Sequence, residues 1–172
     1  MERRMLDFHS PVLDDQSWAA PILQKTGYLG SDGAFGTMFV WRKAYRTQLS
    51  QYGTFVMRRY GDRYGVPLGE GNFTQAIEEL RKDAKERGIP FVLTGVTQDA
   101  KEKLIDLFPG KFTFEEDRDS ADYLYRSEDL IHLSGKKYHG KRNHISKFQR
   151  QYSWSYEDLT DANMEECQAL AK

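Results

Sequence analysis

The sequence predicts an α/β fold, a mixed β-sheet flanked by helices, and three observations carry that expectation. Short β-rich runs alternate with segments of helical period, as where PFVLTG lies between NFTQAIEELRKDAKERG and TQDAKEKLIDLFPG. Two further β-rich runs, TFVMRRYG and YGVPL, are separated only by DR, with Gly61 before it, the spacing of a hairpin. The chain has 172 residues, 39% of them hydrophobic and 30% charged, enough for one core and too few for two comfortable ones.

The elements follow in order. DDQSWAAPILQKTG reads as a helix, with Asp15 or Ser17 as cap, Trp18, Ile22 and Leu23 on its apolar side, and Gly27 at its end. Pro21 fits only if that helix starts near Ser17, because early positions lack an intrahelical acceptor. SDGAFGTMFVWRKAY favours a short helix over a strand, on Phe35, Met38 and Phe39. Strands are expected at 54–60, 66–68 and 91–94, and helices at 75–87 and 97–107. Asn72 with Gln75 resembles a capping box, Phe73, Ile77, Leu80 and Ala84 share a face, and Gly88 stands at the exit. KFTFEE and DYLYR alternate aromatics and read as strands at 112–114 and 123–125. A basic helix follows, then a strand in YSWSYEDL and a last helix in TDANMEECQALAK. That helix runs to Lys172 with no Gly or Pro to stop it, as expected of the first part of something longer.

Composition narrows the function. The single cysteine, Cys167, forbids an internal disulfide and fits a reducing, cytoplasmic setting. MERRMLDFHS has no apolar run behind its charges and is not a signal peptide. No stretch approaches the ~20 apolar residues of a transmembrane helix, so a soluble protein is expected.

Four motifs, FGTMFVWRKAY, YGVPLGEGNF, FPGKFTFEEDRDSADYLY and LSGKKYHGKRNHISKF, together resemble a group of conserved bacterial proteins whose folds look like the C-terminal domain of phosphatidylglycerol lysyltransferase. The resemblance runs from about Leu6 to the end. It implies a tandem pair of acetyltransferase-like (GNAT) folds, with residues 1–158 as the first and 159–172 opening a helix that leads into the second. It also implies acyl or aminoacyl transfer, with an aminoacyl-tRNA or an anionic phospholipid headgroup as partner. This chain would be the non-catalytic half that shapes the substrate cleft. Fold analogy alone does not license a reaction.

Acetyltransferases hold the coenzyme A pyrophosphate in a strand–loop–helix of pattern (Arg or Gln)-x-x-Gly-x-(Gly or Ala). In VPLGEGNF, Gly69 and Gly71 match, making them a possible phosphate loop, but Val66 stands where the Arg or Gln belongs. Glu70 would repel a bound anion, and no Lys-Ser/Thr follows, which excludes a nucleotide P-loop. A structural turn is favoured, and no cofactor is expected in this half.

The segment LSGKKYHGKRNHISKFQRQYSW carries six Lys or Arg and two His, with no acid from Ile131 to Tyr156, in a chain of net charge -1. Projected on a helix, Tyr138, Ile145, Phe148 and Tyr152 form one stripe, and Lys136, Lys147 and Arg150 the solvated face. Lys141 falls within the apolar arc, where an ammonium is costly unless paired. One reading is a solvated basic helix. The other is an anion-binding surface of Lys137, Lys141, Arg142 and Asn143, with aromatics beside them to stack on a base or meet a lipid headgroup. Trp41 and Arg42 could line a cleft, or be a core Trp beside a surface Arg. His139 and His144 lack the i, i+4 spacing of a helical metal site, and no metal is expected. No Ser or Cys nucleophile with a positioned His is legible, which leaves the alternative of a non-catalytic scaffold for RNA or lipid.

Overall fold

A computed structural model describes residues 6–170. The chain divides into two compact units, Met1–Asp122 and Tyr123–Lys172.

The first unit is built on β2 (Phe55–Tyr60), which pairs antiparallel with β1 (Thr47–Tyr52), β3 (Arg63–Gly65) and β4 (Leu68–Gly69). β3 in turn pairs in parallel with β5 (Leu93–Thr94), so the five-stranded sheet is mixed, as expected. Side chains alternate along β2. Phe55 and Met57 join Ile77, Leu80 and Ala84 of α3 (Phe73–Arg87) and Leu104 of α4 (Gln98–Leu107) in one core. Val56 faces the other way, into a core with Ala19 and Leu23 of α1 (Gln16–Lys25) and Phe35 and Met38 of α2 (Phe35–Val40). Helices therefore cover both faces of the sheet.

Local chemistry sets the helix ends. Asn72 accepts from the Gln75 N–H at 3.0 Å and Gly88 closes α3 at φ +67. Thr97 accepts from the Ala100 N–H at the start of α4. Asp15 does not cap α1 with its side chain. Its carboxylate instead accepts from the Val12 N–H and the Trp18 indole, and meets the His9 ring at 3.0 Å. α1 begins at Gln16, so Pro21 lies in its second turn rather than at its start.

The strand expectations need correction. β1 has no strong signal, since Gln48, Ser50 and Gln51 dilute its apolar residues. Of the expected strand at 66–68 only Leu68 is in a ladder, in β4, and Val66 and Pro67 form a bulge between β3 and β4. The strand at 91–94 shrinks to β5. Residues 112–114, 123–125 and YSWSYEDL form no strand, because none finds a ladder among the described residues.

The second unit is helical: α5 (Ser127–His132), a 3-10 turn at Lys136–Tyr138, α6 (His139–Gln151) and α7 (Met164–Leu170). Among the described residues no helix is long and apolar enough to cross a membrane.

Candidate functional site: a buried arginine and a basic helix

FVMRRY places Arg58 on the same face of β2 as Val56, and there its side chain is 0% exposed. A buried guanidinium must find acceptors. Its Nη1 donates to the Asp32 carboxylate at 2.8 Å, to the Asp32 carbonyl at 2.9 Å and to the Tyr60 hydroxyl at 3.2 Å. Its Nη2 donates to the Val66 carbonyl at 3.2 Å, using the bulge that separates β3 from β4. The Tyr28 hydroxyl donates to the other Asp32 oxygen at 2.8 Å.

Glycines make room for this cluster. A Cβ on Gly65 would lie 2.9 Å from the Arg58 Nε, and one on Gly33 2.3 Å from the Tyr28 ring. Gly95, at φ +66 beyond the carboxyl end of β5, faces Asp32 and the Tyr28 hydroxyl. Asp122 anchors the Asp32 turn by accepting from the Ser31 N–H at 2.6 Å and the Ser31 hydroxyl at 3.2 Å.

Burial, reinforced by the bond to Asp32, pushes the Tyr28 phenol up to about 12, and burial also raises Tyr60. Both are neutral phenols near neutral pH, so neither is a base. Burial disfavours the charge on Arg58, yet its polar neighbours, with the Asp32 carboxylate as the charged one, outweigh it and raise the guanidinium pKa. Asp32, with 39% of its side chain exposed, is the charged edge of the cluster. The sequence reading missed it. The parity of Arg58 with Val56 and the glycine-rich GYLGSDG were the available signals.

Gly69 and Gly71 lie in the turn from β4 to α3. A Cβ on Gly69, at φ +152, would come 2.1 Å from the Thr54 carbonyl oxygen, and Gly71 has φ +133. The Thr54 hydroxyl donates to the Glu70 carbonyl. The turn thus packs closely on the β1–β2 hairpin. Trp41 is half-exposed against Tyr45, not a core residue, because Phe35 and Met38 fill that core. Arg42 folds back, its guanidinium 4.0 Å from the Phe39 ring and donating to the Phe39 carbonyl.

In the second unit the basic residues part ways. Arg142 donates to the carbonyls of Leu133 and Gly135, tying α6 to the turn after α5. Lys137 pairs with Asp129 at 3.2 Å and lies over the Tyr138 ring, and the bond to Asp129 raises its pKa. Asn143 meets His139 at 3.1 Å. Lys141 is exposed, with its ammonium 5.5 Å from the Tyr125 ring. Its projected conflict with an apolar arc does not arise. The α-helix begins only at His139 after a 3-10 turn, so Tyr138 is buried while Ile145, Phe148 and Tyr152 are exposed. Lys136, Lys147 and Arg150 are exposed, as projected. Among the described residues no cluster of His, Cys, Asp or Glu is arranged to hold a metal ion.

The geometry defines an α/β unit whose buried charge holds its own loops, and a separate helical unit with exposed cations on its basic helix. The family follows from comparison. Residues 24–172 match the family model described as phosphatidylglycerol lysyltransferase, C-terminal, and the chain belongs to that family. It is also similar to a crystal structure of a conserved protein of unknown function from Bacteroides thetaiotaomicron VPI-5482. The TM-score is 0.86 at 31% identity, over 97% of this chain and 58% of that chain. The chain thus spans less than two thirds of that protein's length. No curated protein matches.

Proposed function

We propose that this chain is the non-catalytic, GNAT-like half of an acyl or aminoacyl transferase, shaping a cleft for an aminoacyl-tRNA or an anionic phospholipid headgroup. The family supports the reaction class. The element order supports the GNAT-like reading: an antiparallel β1–β2–β3 meander, a bulge, and the crossover helix α3 into parallel β5. The carrying observation is the β4–α3 turn. Where an acetyltransferase would hold pyrophosphate, Gly69 abuts the Thr54 carbonyl, Glu70 is held by the Thr54 hydroxyl, and the Asn72 side chain caps α3. Chemistry in such a protein comes from positioning donor and acceptor.

Calorimetry with coenzyme A tests the assignment. The expected result is no saturable binding, and a dissociation constant in the low micromolar range would overturn it. A second reading, a scaffold for RNA or lipid, is favoured by the acid-free stretch with Lys136, Lys147 and Arg150 exposed. It predicts RNA or anionic-vesicle binding that falls steeply with salt.

A further inference from the structure

Three stretches carry the pattern of strands without a ladder. Phe112 and Phe114, Tyr123 and Tyr125, and Tyr152, Trp154 and Tyr156 place aromatics at every second residue. Among the described residues, 112–114, 123–125 and 153–156 make no backbone hydrogen bond. The backbone beside them is already extended, with φ -71, ψ 137 at Arg126 and φ -128, ψ 141 at Tyr152. In the second unit the side chains stand in solvent, with Tyr123 84% exposed, Leu124 65%, Trp154 53% and Tyr156 84%, whereas Phe112 packs on Phe91 and Phe108 and leaves the backbone of 112–114 unpaired. Rows of unpaired N–H and C=O groups flanked by exposed aromatics are a template for added strands. The sheet of the first unit also ends in β5, which pairs only with β3 among the described residues.

We infer that these stretches are strands whose partners lie outside the 172 residues. Those partners belong to the polypeptide corresponding to the part of the longer Bacteroides protein that this chain leaves unmatched. That protein aligns over 97% of this chain but only 58% of its own, so it carries ample polypeptide to supply them. A covalently linked partner pairs at high effective concentration, which favours it over a second copy. The inference rests on reading the chain as one half of a longer transferase, and goes further by naming the stretches that pair with the other half.

Hydrogen exchange on the 172-residue chain and on the full gene product tests it. Amides of 112–114, 123–125 and 153–156 should exchange freely in the chain alone and slow by ~100-fold or more in the longer protein. Leu124→Pro, which removes a ladder donor, should abolish the gain at 123–125 and leave the amides of α3 protected. Equal exchange in both proteins overturns the inference, as does a gene product ending at Lys172. Protection that rises with concentration in the chain alone, alongside a dimer mass, overturns it in favour of a second copy. Aminoacyl transfer measured on the same samples separates the two ideas: transfer without added protection defeats the strand pairing only, and protection without transfer defeats the transferase reading only.

Discussion

Arg58 is a positive charge taken wholly out of water, and its neighbours are arranged around that fact. Even with Asp32, Tyr60 and Val66 as acceptors, its Nε has no partner. Removing the carboxylate beside a buried guanidinium leaves an uncompensated charge, so Asp32→Ala should cost about 3 kcal/mol in urea unfolding. A loss within error would mean that water replaces the carboxylate, and that Asp32 does not hold this cluster together. The His9–Asp15 pair allows a test by pH. Burial lowers the His9 pKa, but the bond and charge of Asp15 outweigh it and the net value is raised above 6.5. Burial raises the Asp15 pKa, but the Val12, His9 and Trp18 bonds outweigh it and the net value falls below 3.8. The histidine's contribution is therefore complete below pH 6.5 and disappears as pH rises through the raised native value. The carboxylate's contribution holds above 3.8 and is lost as pH falls through the lowered one. His9→Gln should thus lose most stability near about pH 5.5 and little by about pH 8.5, and an equal loss at both would contradict the pairing.

At the scale of elements, the cap, face and exit of α3 and the span of α4 were legible because they depend on neighbours in sequence. Asn72, Thr97 and Gly88 do locally what their residue types favour. Strands depend on partners distant in sequence. β1 exists because β2 pairs with all six of its residues, although TQLSQY shows little of it. The opposite holds for 112–114 and 123–125, where alternation is clear and no partner is present among the described residues. α6 shows the same limit. Its charge was plain, but which cations the chain itself uses depended on the turn at 133–135. Arg142→Ala should cost roughly 1–2 kcal/mol by releasing two carbonyl contacts, whereas Lys147→Ala should stay within about 0.5 kcal/mol. Thermal or urea unfolding followed by the α6 amides would compare them, and equal losses would contradict the role given to Arg142.

For the whole molecule, the mixed sheet with helices on both faces was legible from strands alternating with amphipathic helices. The family was legible from four ordered motifs. The buried cluster was not, since Asp32, Arg58 and Gly95 are far apart in sequence and meet only when β2, β5 and the turn before α2 assemble. The arrangement leaves this chain with a packed glycine turn and with Tyr28 and Tyr60 as neutral phenols. The most direct measurement is transfer from aminoacyl-tRNA to phosphatidylglycerol, assayed with the full gene product and with residues 1–172 alone. Transfer is expected from the full product and none from the chain alone. Turnover by the isolated 172 residues would contradict this expectation.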